Sequence, residues 1–254
     1  MIGAIAGDII GSRFEFNNTH DKDFTLITDE CDFTDDTICT VAVADAIMNN
    51  NCDYRASLQK WCRAYPYPMG GYGASFARWI MTDDAQPYDS FGNGAAMRVS
   101  PVAWLFDTEE EVLRQAEASA VVSHSHEEGI KGAQAVALAI FRLRQSKRLI
   151  NVYDVAQYFY GKDFDKHLQK PFVFDETCQG CVPVCLSIVC HAVSYSDAVR
   201  RIVSRGGDTD TTGAIVGSIA EAIYRVPASI EKPCIAILPS RMIEIIEQFK
   251  QARL

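Results

Sequence analysis

Gly206-Gly-Asp-Thr-Asp-Thr-Thr-Gly-Ala-Ile-Val-Gly-Ser-Ile-Ala-Glu-Ala-Ile223 is the stretch that sets the fold class of this chain. Ile215, Ile219 and Ile223 recur every fourth residue, which keeps one face of a helix apolar. The segment ahead of them reads as the start of that helix, because Asp and Thr cap N-termini and carboxylates complement the helix dipole. Gly206 and Gly207 allow unusual dihedrals and close approach of the backbone to a ligand. A second segment has the same make-up: Thr34-Asp35-Asp36-Thr37 precedes Ile38, Val41, Ala42, Ile47 and Met48.

Two readings of these clusters stay open. In one they are caps and nothing more. In the other, carboxylates and hydroxyls at two helix starts supply the oxygen donors and negative charge that a pair of hard divalent cations needs. The second reading requires a fold that brings both into one cleft. An EF-hand does not fit, because a loop starting at Asp208 has Ile219 at its twelfth position, where a bidentate Glu is required.

The helical pattern continues through most of the chain. Val112, Leu113, Ala116 and Ala120 follow the acidic start Glu109-Glu110-Glu111. Ala133, Val136, Ile140 and Leu143 form another stripe that runs into the basic segment Arg142 to Arg148, suited to a helix C-terminus. Met242, Ile245, Ile246 and Phe249 predict a last helix opened by Pro239. Alternating strand patterns are scarce, and the sequence leaves room for short extended pieces around Phe24–Ile27 and Phe172–Phe174. No composition shift marks a linker, so the expectation is a single all-α domain over residues 1–254.

Hydrophobic content of 48% and charged content of 22% are those of an ordinary globular protein. The net charge of −9 argues against a general nucleic-acid binder, which needs clustered Lys and Arg. No apolar run is long enough to cross a bilayer, and Met1-Ile2-Gly3-Ala4 carries no basic leader, so a cytoplasmic location is the default expectation. Nine cysteines without a secretory signal read as reduced thiols. Cys178, Cys181, Cys185 and Cys190 lie in an apolar run, where core packing is favoured over a zinc site.

The loops carry the remaining chemistry. Tyr65 to Gly73 is rich in turn formers and aromatics, and Ser90 to Pro101 runs from a Gly-Asn-Gly turn toward a helix. Phe91-Gly92-Asn93-Gly94 reads as a turn, or as backbone N–H groups facing a phosphate at a helix start. Arg98 suits a phosphate or an internal partner, and His124 a ligand or a structural hydrogen bond. Ile2 to Ser12 is rich in small residues, which permit close packing. Asp8 and Glu15 lie in and beside this apolar stretch, where an unpaired charge is expensive. Glu15 therefore needs a cation, a hydrogen bond or a raised pKa.

Gly7-Asp8-Ile9-Ile10-Gly11-Ser12 with Glu15, Thr34-Asp35-Asp36-Thr37, Ser90 to Arg98, Ser123-His124 and Gly206 to Thr211 resemble, in that order, the motifs of the ADP-ribosylglycohydrolases. The resemblance spans about residues 1 to 225. It implies a compact orthogonal helical bundle with a central cleft for two Mg²⁺ or Mn²⁺ ions. It makes Thr34, Asp35, Asp36, Asp208, Asp210 and Thr211 the metal ligands, with Glu15 or Asp36 as the catalytic carboxylate. Tyr72, Gly73, Phe91, Gly92, Asn93, Gly94, Met97, Arg98 and His124 become the substrate contacts. The activity implied is hydrolysis at C1″ of ADP-ribose attached to a protein side chain or a small acceptor. Alternatives are a silent ADP-ribose-binding or structural relative and a dinuclear metallohydrolase acting on another nucleotide-sugar. Acceptor linkage and the choice of metal stay open.

Overall fold

A computed structural model describes residues 1–169 and 174–253. Its helices are α1 (Ile2–Ser12), α2 (Asp35–Asn49), α3 (Tyr54–Ala64), α4 (Ala74–Met81), α5 (Gly94–Met97), α6 (Ser100–Leu105) and α7 (Glu109–Val121). They continue with α8 (Glu127–Ser146), α9 (Ile150–Tyr160), α10 (Cys178–His191), α11 (Tyr195–Val203), α12 (Thr209–Tyr224), α13 (Ala228–Ile237) and α14 (Ser240–Ala252). One 3₁₀ segment, Phe164–Gln169, lies between α9 and α10. The all-α expectation is met.

The expected helix starts are capped as the side chains dictate. Thr34 Oγ accepts from the N–H of Asp36 at α2, and Thr108 Oγ from the N–H of Glu111 at α7. One reading needs correction, and another falls largely outside the described residues. Phe24–Ile27 forms no strand, because Phe24 turns its ring onto Phe14, 5.0 Å away, beneath the Arg200 guanidinium. Of Phe172–Phe174, only Phe174 belongs to the described residues, and it is not in a strand.

The centre of the bundle is the pair α1 and α12, the most extensive helix contact among the described residues. Every residue of α1 is buried. The two backbones approach so closely that a Cβ at Gly3, Gly7 or Gly11 would overlap the carbonyl oxygens of Gly217, Gly213 and Thr209. The small residues of the N-terminal stretch are thus a contact surface, with glycine carrying no Cβ to hold the helices apart. Buried Glu221 of α12 accepts from Gly3 N–H and from the Met1 amine, both at 2.8 Å, and from Arg253 at 2.7 Å. Tyr195 Oη of α11 donates to Gly3 O at 2.8 Å. A hydrophobic core extends from Met1 to Phe249 around this pair. No helix among the described residues is long and apolar enough to cross a membrane.

This packing places the start of α12 beside the end of α1. Glu15 follows α1 after one turn and shares a carboxylate group with Asp208 and Asp210 at the start of α12, while the start of α2 touches both α1 and α12.

Candidate active site

Asp8, in the second half of α1, fastens that helix to the start of α2. Its fully buried carboxylate accepts from Thr34 N (3.1 Å), Thr34 Oγ (2.8 Å), Thr37 N (3.1 Å) and Thr37 Oγ. These bonds frame Asp35 and Asp36. Thr211 Oγ on α12 donates to Asp36 Oδ2 at 3.0 Å, joining the two clusters directly although 175 positions separate them. Asn93 Nδ2 donates to Asp208 Oδ2 at 2.6 Å. The loop before α12 is pinned by Asn18, which donates to Gly207 O and accepts from Gly207 N. Gly206 and Gly207 have φ of 85° and 91°, the left-handed backbone that favours glycine.

The carboxylates gather into two overlapping groups. Glu15, Asp208 and Asp210 each offer an oxygen within 4.8 Å of the others, and so do Asp35, Asp36 and Asp210. Asp210 belongs to both. Glu15 Oε2, Asp36 Oδ1 and Asp210 Oδ1 are buried and receive no hydrogen bond. Anionic oxygens left this way are costly unless a cation or a proton satisfies them. An all-oxygen donor set with one shared carboxylate fits a pair of hard divalent cations. No cysteine or histidine joins either group among the described residues.

The electrostatics follow from the crowding. Burial, then the charges of Asp208, Glu176 and Asp8, push Glu15 up to about 7. Burial pushes Asp8 up to about 6 against the hydrogen bonds from Thr37 and Thr34. Asp35, Asp36 and Asp210 are raised well above the carboxylate range by burial and mutual repulsion, and Asp208 is raised by burial. These groups hold protons more tightly folded than unfolded. Between the unfolded values of 3.8 to 4.5 and about 7, the native chain therefore binds more protons, and stability falls as pH rises. His124, kept neutral by burial and by Arg98, opposes this below its ordinary 6.5. The several carboxylates outweigh it. Ion-free protein should melt at a higher temperature near about pH 5.5 than near about pH 7.5 in a calorimetric scan. A melting temperature that climbs between those values would contradict the carboxylate crowding.

A cavity of about 600 Å³ opens over this cluster, within the range of small-molecule sites. Glu15, Asp35, Asp208 and Thr211 form its floor; Thr34, Asp36 and Asp210 lie buried beneath. Tyr72 and Gly73 line one wall, with Tyr72 Oη anchored on Tyr65 O at 2.8 Å. Gly70 (φ 76°) lies so near that a Cβ there would stand 2.6 Å from Glu15 Oε2. Phe91, Gly92, Asn93, Gly94, Met97, Arg98 and His124 line the facing wall.

Two of the backbone donors on that wall are already used within the protein. Gly92 N–H is taken by Ser90 Oγ (3.1 Å) and Asn93 N–H by Glu176 O (2.8 Å), so the turn offers neither to a ligand. Cys178 N–H donates to Phe91 O, and Cys178 Sγ to Gly92 O at 3.2 Å. Cys178, Cys181 and Cys185 are buried, Cys185 Sγ donating to Thr212 O. These thiols pack the core and brace the loop. Gly70 is legible in the sequence only as part of the turn-rich stretch Tyr65 to Gly73, and Asn18, Tyr88 and Glu176 carry no periodicity or motif. Asp8 was singled out only as an acid in an apolar helix.

The ADP-ribosylglycohydrolase family model matches residues 1–252. ADP-ribosylhydrolase ARH3 of Danio rerio is 29% identical over 55% of this chain, a stretch spanning 45% of that protein. The Homo sapiens ARH3 is 23% identical over 92% of this chain and 87% of its own length. A putative ADP-ribosyl glycohydrolase of Acanthamoeba polyphaga mimivirus is 22% identical, covering 88% and 85%. Among solved structures, an ADP-ribosylglycohydrolase-related protein complex superposes with a TM-score of 0.75 over 100% of this chain and 97% of that one, at 18% identity, a likeness of fold. With nearly every residue inside the family model and the same helical architecture, the chain belongs to the ADP-ribosylglycohydrolase family.

Proposed function

We propose that this chain is a divalent-cation-dependent hydrolase. It cleaves the bond between C1″ of ADP-ribose and a protein side chain or small acceptor, and releases ADP-ribose. The observation that carries the reading is the pair of carboxylate groups that share Asp210, Glu15–Asp208–Asp210 and Asp35–Asp36–Asp210, with oxygens of Asp36 and Asp210 buried and without a hydrogen bond. In this reading Thr34, Asp35, Asp36, Asp208, Asp210 and Thr211 hold two ions, Mg²⁺ or Mn²⁺, and residues 1–254 act as a single domain. The ions, when bound, neutralise the carboxylates and supply Lewis-acid polarisation of sugar hydroxyls and water.

The protein's own groups divide the remaining work. Asp36 is committed through Oδ2 to the hydroxyl of Thr211 (3.0 Å), while the Thr34 hydroxyl proton goes to Asp8, and this fits a ligand better than a proton carrier. Glu15 is only half-buried and free at Oε2, and its carboxyl is poised near about 7. It is the general base: as the C1″–acceptor bond breaks and the water oxygen bonds to C1″, Glu15 takes the water's proton, and the released acceptor oxygen or nitrogen takes up one proton in turn. The surrounding carboxylates favour the positive charge of an oxocarbenium-like transition state. His124 and the loop Phe91 to Met97 contact the ADP-ribose, with Tyr72 and Gly73 on the opposite wall. Asp8 holds the ligand-bearing segment in place.

Glu15→Gln should lower kcat by about 10² to 10⁴ in single-turnover release of ADP-ribose, with Mn²⁺ binding retained. Near-normal turnover would remove Glu15 as the base. Calorimetric titration of the purified chain with Mn²⁺ should reach two ions per chain, and saturation at one would overturn the dinuclear assignment.

A further inference from the structure

Arg98 is fully buried, yet no carboxylate pairs with it among the described residues. Its Nη2 donates to Ser119 O and to Ser123 Oγ, both at 2.9 Å, while Nε and Nη1 are covered without partners. Arg98 belongs to the cavity wall, but its side chain has no exposed surface, so its charge acts on the cleft through a neighbour. That neighbour is Ser123, whose Oγ stands 2.8 Å from His124 Nδ1.

Counting protons fixes the direction of this chain. An arginine can only donate, so Ser123 Oγ accepts from Arg98. The hydroxyl still carries one proton, and Ser123 is fully buried. Among the described residues the only acceptor at hand for that proton is His124 Nδ1. Were Nδ1 protonated instead, Oγ would accept twice and its own proton would be buried unsatisfied, which is costly.

We propose that Arg98, acting through Ser123, locks His124 as the neutral Nε2–H tautomer, making it a hydrogen-bond donor aimed into the cleft. Arg98 is then a positioning residue, not a ligand contact. Nε2 has no protein partner among the described residues and belongs to the cavity wall. The loop leaves it room: a Cβ at Gly94 would stand 2.8 Å from Nε2, and one at Gly92 3.7 Å. Burial and the adjacent Arg98 charge both disfavour imidazolium, which agrees with a neutral ring. The ring is held between Tyr88 and Phe76, at 5.9 and 6.3 Å. A fixed neutral donor suits an oxygen acceptor of the ligand. That it serves ADP-ribose rests on the function proposed above; the tautomer does not.

The test is long-range ¹H–¹⁵N correlation on histidine-labelled full-length protein near about pH 7, with His124 assigned by the loss of its signals in His124→Asn. The expected pattern is a protonated Nε2 and an unprotonated Nδ1. Ser123→Ala should give a mixture of tautomers, and Ser123→Thr should restore the lock. An Nδ1–H or imidazolium pattern in the parent protein overturns the proposal, as does a pattern unmoved by Ser123→Ala. Arg98→Lys, if it folds, should also disturb the pattern, but the serine variants decide without it. ADP-ribose affinity should fall about tenfold in Ser123→Ala with Mn²⁺ stoichiometry unchanged. If the parent protein binds no ADP-ribose, the functional reading fails while the spectra still decide the tautomer.

Discussion

Asp210→Ala is expected to abolish hydrolysis, lowering kcat/KM by on the order of 10³ or more, and to remove stabilisation of the protein by Mn²⁺. Asp210 is the one carboxylate shared by both oxygen groups, so its loss leaves two carboxylates in each instead of three. Its Oδ1 is buried without a hydrogen bond, so little in the ion-free protein depends on its charge. Its neighbours point the same way: Asp208, Asp36 and Glu15 all raise its pKa, which means they repel its anion. Asp210→Asn, which keeps the shape and removes the charge, should therefore melt no lower than the parent without cations. It should melt well below the parent once Mn²⁺ is present, since a ligand stabilises only the state that binds it. A variant that is destabilised equally with and without Mn²⁺ would make Asp210 a packing residue and contradict the account.

Gly7→Leu is expected to cost about 4 kcal/mol of stability or more, a large share of the 5–15 kcal/mol that holds a typical domain. The reason is geometric. A Cβ at Gly7 would overlap Gly213 O, and the obstacle is backbone on both sides, so no rotamer change relieves it. The helices would have to separate, and with them the ends that carry Glu15 and Asp208. Any folded remainder should then lose turnover beyond what its population explains. Urea unfolding reads the first effect, and activity per folded molecule the second. An unchanged urea midpoint would mean that α1 and α12 do not touch at Gly7 and Gly213.

Where the sequence spoke, it spoke through periodicity and caps. The four-residue spacing of Ile215, Ile219 and Ile223 became α12, and Thr34 became the cap of α2 as its side chain dictates. Ser90 to Pro101 was harder. The single helix suggested there is two short ones, interrupted at Arg98 and Val99, with Pro101 in the first turn of the second. The small residues of α1 announced close packing without naming α12 as the partner. Nothing local could name it, because contacts across about 200 positions depend on the whole topology.

The candidate site divides in the same way. Each Asp cluster was visible as acids at a helix start, which is equally the mark of a simple cap. Only the resemblance joined them, and the Thr211–Asp36 bond shows the physical means. Asp8 looked like an unexplained charge, while its actual partners are the hydroxyls and N–H groups of Thr34 and Thr37. Gly70 and Asn18 act through backbone geometry and single amide contacts, for which composition gives no signal. Arg98 matched a ligand-binding segment, and its burial behind Ser123 is a fact of packing.

The most direct test of the central claim is release of free ADP-ribose from a panel of arginine-linked, serine-linked and acetyl-linked ADP-ribose, with Mg²⁺, with Mn²⁺ and after chelation. The account predicts release from at least one member that vanishes on chelation, returns when the cation is restored, and is absent in Asp210→Ala. Undiminished release after chelation, or no release from any member by protein that carries two Mn²⁺ ions, would contradict it.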